Sequence, residues 1–483
     1  MLSCIQAGAT DYLLKPLRLD VIKPLFLKIH RYRHDSKTHN SSLPSSPISC
    51  PDHYISNSIP RSAAMTATPS MTNTTSSSTI TGSITTLCDN VTHRIKDIFH
   101  KDIQFTQAVM DIYVPTRLPN HHMRLTTENT ARLKAKVSSW DFSPFDFDHE
   151  ELIHIVYIIF NEILSTKELS HITITEGQLY DFIIDLSNTY RDENPYHNFA
   201  HAVDVLQCIY YFISQLGVLD HPSMETDPIL PHHLLRPKDV FALFIAAIGH
   251  DAAHPGVNNM FLINSATPLA MLYNDRSVLE SLHSMTLFHI MKRHHLDQIV
   301  GGAGSTDYQE FRKTVVTSVL ATDMSLHNDY VCKIKDQAVR LREADLKTMD
   351  ATARENERLL LCSALIKCAD ISNVTRPFRR GAKWAELLVQ EFLSQGDLEK
   401  ELGMPVLPMN DRDKVVLEES QIGFIRFVAL DLFQSIRDVI PPISFAVDYM
   451  QDNLKRWENL KNTKTRDTLS VKEDVNIELR IGK

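Results

Sequence analysis

Histidines and aspartates in three short blocks of this sequence could bind metal ions. His197 and His201 stand four residues apart, His250 is followed at once by Asp251, and Asp370 ends an apolar run. Imidazole and carboxylate together suit Zn²⁺, Fe²⁺ or Mn²⁺, and a bridging carboxylate suits a second, harder ion such as Mg²⁺. The set therefore predicts a metal-activated water and a substrate that carries a phosphate.

Each block also has a structural explanation. On a helix, the spacing of His197 and His201 places both imidazoles on one face, where a solvated or core-satisfied pair is the commoner arrangement. Adjacent His250 and Asp251 at the end of an apolar helix are harder to explain in this way, because two buried polar groups need a partner. Three such blocks in one chain favour the metal site.

The segments around these blocks have the apolar periodicity of helices. Asp148, three residues before Glu151, and Thr175 are predicted N-caps, and Pro237 is predicted to begin the helix that runs down to His250. Strand-like alternation is scarce and the chain has only 14 glycines. Residues 89–460 are therefore predicted to form an all-α domain.

Three further segments differ in composition from this domain. Residues 1–33 resemble the last strand and helix of a response-regulator receiver domain, without its phosphoacceptor aspartate; an ordinary strand–helix piece is the alternative. Residues 34–88 form a Ser/Thr-rich linker that is expected to stay disordered, because it has too few apolar side chains. Residues 461–483 form a charged tail that is expected to fray.

Bulk composition excludes several classes of protein. The 483 residues include 50 Lys and Arg against 59 Asp and Glu, a formal charge of −9, so binding of nucleic acid through the overall field is not expected. No signal peptide is visible, and the longest apolar run, residues 240–249, is too short to span a bilayer. Seven dispersed cysteines indicate reduced thiols and a cytoplasmic location.

At the level of whole motifs, residues 150–455 resemble the class I cyclic nucleotide phosphodiesterases. The stretch from His197 to Gln207 fits the family signature H-N-x-x-H-A-x-D-V-x-Q. Further matches follow in order at 250–256, 274–280, 322–324, 369–373 and 421–424. One departure is visible, since the family often has two histidines shortly after the glutamate matching Glu280, whereas here Leu282 precedes His283.

The resemblance implies an all-α, HD-type metallophosphohydrolase domain with two divalent ions, Zn²⁺ together with Mg²⁺ or Mn²⁺. It implies that His201, His250, Asp251 and Asp370 ligate the first ion, with Asp251 bridging to the second. A hydroxide held between the two ions would attack the phosphorus of a 3′,5′-cyclic phosphate.

It also implies that His197 protonates the departing 3′ oxygen as general acid, held in place by Glu280. Side chains expected to bind metal waters or to orient the ligands are His254, His283 and Asp323.

Substrate recognition is likewise inferred from the resemblance. Gln421 would hydrogen-bond the purine edge, Phe424 and Leu388 would clamp the ring, and Tyr196 and Asn373 would contribute to the site. Plain core packing of Phe424 and Leu388, or helix capping by Asn373, is the structural alternative. The sequence at 369–373 favours cAMP, although cGMP or dual-specificity hydrolysis stays open.

Two other functions compete with an active cyclic nucleotide phosphodiesterase. A different His–Asp metal-dependent nucleotide phosphohydrolase would share the ligands but would not need Gln421 and Phe424. A signalling scaffold with a dead catalytic domain would have lost a ligand or the acid, and none is missing. Regulatory partners through the N-terminal region and a homodimer are further possibilities.

Overall fold

The computed structural model describes residues 126–218, 234–296, 301–302, 304–343 and 348–481, with side chains up to residue 463. The predicted receiver-like segment 1–33 and linker 34–88 lie outside these residues. The chain divides into two compact units, and almost all described residues belong to the larger, Phe105–Lys400 with Pro405–Lys483.

All regular elements among the described residues are helices, which confirms the predicted all-α class. The α-helices in chain order are α1 Thr127–Val137, α2 His149–Leu164, α3 Glu176–Ser187, α4 Phe199–Gln215, α5 Pro237–Gly249, α6 Asn259–Asn264, α7 Pro268–Leu272, α8 Val278–Arg293, α9 Thr306–Ala321, α10 His327–Glu343, α11 Ala351–Asp370, α12 Phe378–Glu401, α13 Leu417–Phe424, α14 Leu430–Val439 and α15 Ser444–Ile481.

Helix α5 lies in the centre of the core. Every residue from Asp239 to Gly249 is buried, as expected of a helix that is apolar on all sides. It packs against α4 and α9, which in turn pack against α11. The three helices that carry the predicted metal-binding blocks, α4, α5 and α11, therefore lie side by side.

Three predicted helix starts are confirmed. Asp148 and Glu151 form a reciprocal capping box at α2, and Thr175 forms one with Gln178 at α3. Pro237 occupies the first turn of α5, where its missing N–H costs no hydrogen bond.

The predicted placement of His197 and His201 on one helical face is wrong. Helix α4 begins at Phe199, and the Asn198 side chain caps it by accepting from the His201 N–H at 3.2 Å. Asn198 has extended backbone angles, φ −132° and ψ −178°, so the preceding His197 lies outside the helix.

At the C-terminal end, the predicted boundary at residue 460 falls inside α15. This helix continues through residues 461–481 of the charged tail, and the fraying of the tail stays a prediction. In the described part of the chain, no helix is both long enough and apolar enough to cross a membrane.

Candidate active site

Four of the predicted ligands meet where α4, α5 and α11 come together. His201 lies in the first turn of α4, His250 and Asp251 follow α5, and Asp370 ends α11. Donor atoms of all four lie within 4.8 Å of one another. The Nε2 atoms of His201 and His250 lie 3.3 Å and 3.4 Å from Asp370 Oδ1.

The local chemistry of this cluster fits a divalent cation. His250 Nε2 and Asp251 Oδ2 are buried 3.2 Å apart, and neither forms a hydrogen bond with another described residue. His250 donates its Nδ1–H to the Ala247 carbonyl at 2.8 Å, which leaves Nε2 with a free lone pair in the cluster. Two imidazoles and two carboxylates form a donor set that suits Zn²⁺ and similar ions.

The predicted pairing of His197 with Glu280 is wrong, because Glu391 of α12 occupies that position. Glu391 Oε1 lies 2.5 Å from His197 Nδ1, and its Oε2 accepts the backbone N–H groups of Tyr196 and His197, each at 3.0 Å. One carboxylate therefore fixes both the ring and the backbone of His197.

This pair sets the charge of the imidazole. Burial disfavours the imidazolium, but the carboxylates of Glu391, Asp251 and Asp370 outweigh this effect and raise the pKa of His197 to about 9. Burial favours the neutral form of Glu391, but the charge and hydrogen bond of His197 outweigh this effect and lower the pKa of Glu391 to about 2. At neutral pH His197 is therefore a cation, with one ring nitrogen free to donate a proton.

Glu280 has a different environment. Asn259 donates to both of its carboxylate oxygens, at 3.2 and 3.0 Å. Burial, together with the Asp323 charge, raises the pKa of Glu280 to about 7. Asp323 itself accepts from the Ser277 hydroxyl at 2.7 Å and from the Ser325 N–H at 2.8 Å.

Two further histidines lie beside Asp251. His283 Nε2 is 3.6 Å from Asp251 Oδ1, and its Nδ1–H donates to the Ala252 carbonyl at 2.7 Å. Burial lowers the pKa of His283 to about 4. Burial and the positive His197 hold the pKa of His254 well below its usual range. Both rings are therefore neutral at pH 7, in contrast to His197.

Asp251, His254 and His283 form a second group of donors within 4.8 Å of one another. Asp251 thus belongs to this group and to the four-ligand cluster. Asp251 could therefore contribute to two neighbouring cation sites.

A buried lysine accompanies these acidic groups. Lys367, one helical turn before Asp370, is 3 % exposed and donates to the Ala321 carbonyl at 2.7 Å. Burial lowers the pKa of Lys367, although Asp370 opposes this effect. The contact ties α11 to the end of α9, next to Thr322 and Asp323.

The metal-binding groups open into a cavity of about 570 Å³, within the size range of small-molecule sites. Every residue predicted to contact the substrate lines it; these are Tyr196, Asn373, Leu388, Gln421 and Phe424. Gln421 and Phe424 lie in α13, and Leu388 lies one turn before Glu391 in α12.

Asn373 has a local hydrogen bond as well. It lies in the short 3₁₀ segment Ser372–Thr375, where its Oδ1 accepts the Val374 N–H at 3.0 Å. This bond is not a helix cap, because Ile371 is the N-cap of the segment, so the predicted capping role of Asn373 is wrong, whereas the residue does line the cavity.

Sequence reasoning missed Glu391, Asn259 and Lys367. For Glu391 a signal was present, since it follows Leu388 by three residues and shares its helical face. Asn259 and Lys367 have no such signal, because their contacts are set by how separate helices pack together.

Comparison with known proteins gives a consistent set of relatives. The family described as 3'5'-cyclic nucleotide phosphodiesterase matches residues 196–450. The chain is 33 % identical over 325 residues to 3',5'-cyclic-nucleotide phosphodiesterase regA of Dictyostelium discoideum, covering 67 % of this chain and 38 % of that protein. It is 31 % identical over 361 residues to 3',5'-cyclic-AMP phosphodiesterase, isoform F, of Drosophila melanogaster, covering 71 % and 50 %. The chain thus spans half the length of these curated relatives or less.

Solved structures agree with this result. The phosphodiesterase domain of the RhoPDE fusion protein from the choanoflagellate Salpingoeca rosetta aligns with a TM-score of 0.59 and 28 % identity, over 70 % of this chain and 99 % of that one. Yeast caPDE2 aligns with a TM-score of 0.58 and 30 % identity, over 70 % and 69 %.

Proposed function

The chain belongs to the 3'5'-cyclic nucleotide phosphodiesterase family, and on that premise we propose that it hydrolyses a 3′,5′-cyclic purine nucleotide to the 5′-nucleotide. One observation carries the proposal: a cationic His197 held by Glu391 lies beside a four-ligand cluster, in a cavity lined by Gln421 and Phe424.

In this proposal His197 acts as the general acid. Its Nδ1 is engaged by Glu391, so its other ring nitrogen would give a proton to the departing 3′ oxygen. The raised pKa keeps that proton available at neutral pH. Glu391 would keep the ring oriented throughout and would stabilise its charge before transfer. In this proposal Glu280 does not orient His197 and lies near the second group of donors, Asp251, His254 and His283.

The metal assignment rests on the chemistry of the donors. His201, His250, Asp251 and Asp370 would hold Zn²⁺. Asp251 would also contribute to a second site, for Mg²⁺ or Mn²⁺, near His254, His283 and Asp323. When bound, such ions supply an activated water as nucleophile and neutralise charge on the phosphate.

Gln421 would read the purine edge, because an amide offers both a donor and an acceptor, while Phe424 and Leu388 would hold the ring between apolar surfaces. Asn373 and Tyr196 would complete the pocket. We propose cAMP as the preferred substrate. This preference is supported by the sequence at 369–373 and by the Drosophila relative, whose name specifies cyclic AMP.

The test is kcat/KM of the purified chain for cAMP and cGMP, measured side by side with Mg²⁺. We expect 5′-AMP as product and a preference for cAMP of at least about tenfold, equivalent to about 1.4 kcal/mol. His197→Ala should lower kcat by at least about a hundredfold with metal content unchanged. A matched variant away from the site, Asp185→Asn, should keep full activity, since that carboxylate pairs with His294.

Three results would each contradict one part of the proposal. Absence of hydrolysis of either cyclic nucleotide would refute the function, and near-normal turnover by His197→Ala would remove that residue as the acid. A preference for cGMP would refute only the choice of base.

Several proposals concern the chain outside this site. The dispersed cysteines support a cytoplasmic location, and free Cys208, Cys362 and Cys368 are buried among the described residues. The receiver-like segment, regulatory partners that bind through it, and a homodimer remain proposals. Their test is the mass of the full chain in solution, with and without residues 1–33.

A further inference from the structure

Two loops bring a pair of histidines together at the cavity. The first loop precedes α4 and carries His197, and the second follows α5 and carries His254. The two imidazole rings stack with centroids 4.1 Å apart and an angle of 21° between their planes. Gly256 donates its N–H to His254 Nδ1 at 3.1 Å, so the second ring is oriented from within its own loop.

A single amide joins the two loops. Asn194 is 6 % exposed, and its Nδ2 donates to the His197 carbonyl at 2.9 Å and to the His254 carbonyl at 3.0 Å. Both protons of the amide are therefore used. The backbone carbonyl of Asn194 accepts from the side chain of Asn198, the residue that caps α4, at 2.9 Å.

The second loop approaches this amide closely. A Cβ atom at Gly256 would lie 2.6 Å from Asn194 Oδ1, nearer than real Cβ atoms come to a neighbour. Gly256 also has φ +79°, which favours glycine. The absence of a side chain at 256 thus permits the contact between the loops.

We propose that Asn194 is a positioning residue for the proton donor. Glu391 of α12 orients the His197 ring. Asn194 fixes the distance between the backbone of His197 and the loop that carries His254. With both connections in place, the ring has one position relative to the metal-binding cluster. Since misplacement of about 1 Å can cost about a hundredfold in rate, loss of the amide should lower turnover without removing any group that reacts.

This inference rests on the proposed function and is tested by a double-mutant cycle. The kcat for radiolabelled cyclic AMP is measured for the full chain with Mn²⁺, and for Asn194→Ala, His197→Ala and the double variant. If Asn194 acts through His197, its removal should lower kcat about ten- to a hundredfold in the native background. The same change should lower it less than about twofold where His197 is already absent.

A matched control separates positioning from general loosening of the fold. Asn453 is also buried, and its Nδ2 also donates to two backbone carbonyls, those of Val374 at 2.9 Å and Arg376 at 2.8 Å. Asn453→Ala should change kcat by the same factor in both backgrounds. An equal factor for Asn194→Ala in the two backgrounds would overturn the inference.

A second variant keeps the test decisive if Asn194→Ala does not fold. Gly256→Ala leaves the amide intact but pushes the second loop away from it. We expect the same pattern, a loss that disappears in the His197→Ala background. If wild type itself does not hydrolyse cyclic AMP, the proposed function fails. If wild type is active and Gly256→Ala acts equally in both backgrounds, only the role of Asn194 fails.

Discussion

At the scale of single residues, three histidines around one cavity differ in charge because their neighbours differ. His197 touches the Glu391 carboxylate and is a cation, with its pKa raised to about 9. For His254 and His283, burial outweighs the attraction of the nearby Asp251 carboxylate, and their pKa values are lowered. The position of one carboxylate therefore decides which imidazole can act as an acid.

The pH dependence of the reaction follows from this pair. A general acid must be protonated, so kcat/KM should fall as pH rises through the pKa of His197, which the Glu391 carboxylate holds above the usual value of an imidazole. Glu391→Gln removes the charge that raises this pKa, so the fall should begin at least about one pH unit lower. The measurement is a pH profile of kcat/KM for cyclic AMP, with Asp185→Asn as control. An unchanged alkaline limb in Glu391→Gln would exclude this role of Glu391.

At the scale of elements, buried ionic contacts join segments that local sequence does not connect. Arg376 is fully buried, and its Nη2 donates to Asp204 Oδ1 at 2.9 Å and to Gln207 Oε1 at 2.7 Å on α4. Its guanidinium also lies 4.2 Å from the centre of the Trp140 ring. It thereby joins the segment after α1, helix α4 and the end of the 3₁₀ segment beside Asn373.

Removal of this arginine should be costly. Arg376→Met leaves Asp204 as an uncompensated buried charge, and we expect a loss of about 3–5 kcal/mol in the free energy of unfolding. The double variant with Asp204→Asn should recover part of this loss. Urea unfolding provides the measurement.

The control for this prediction is a partly exposed arginine. Arg380→Ala breaks the partly exposed pair with Asp146 and should cost less than about 1 kcal/mol. Equal losses for Arg376→Met and Arg380→Ala would contradict the importance of burial.

Local signals explain which features the sequence could predict. Helix starts at Asp148, Thr175 and Pro237 follow from capping chemistry within four residues, and the clustering of the metal-binding blocks follows from their motifs. The partner of His197 could not be obtained in this way. Glu280 and Glu391 are both buried glutamates, and only the packing of α12 against the loop before α4 decides which of them reaches the ring.

At the scale of the whole molecule, the donor cluster connects three core helices through the carboxylates of Asp251, which is buried, and Asp370, which is partly exposed. Without a cation, Asp251 and Asp370 rely on neighbouring histidines for compensation. A ligand that binds only the folded state adds stability by mass action, about 2.7 kcal/mol at a concentration of a hundred times its Kd.

Divalent cations should therefore raise the melting temperature. After chelation, addition of Zn²⁺ or Mn²⁺ should increase Tm by several degrees, and Asp370→Asn should reduce that increase strongly. Calorimetry with Asp185→Asn as control is the measurement. An equal increase in Asp370→Asn would show that the stabilising cation binds elsewhere.

The separation of the donors along the chain has a consequence for biosynthesis. His201 and Asp370 meet in space although 169 residues separate them in sequence. At about 5–20 residues per second, a ribosome needs roughly 8–34 s to pass from the first to the second. A nascent chain holds an incomplete donor set throughout that interval, and products of premature termination before residue 370 never complete it. Any metal-dependent activity of this cluster would therefore arise only after α11 has been synthesised.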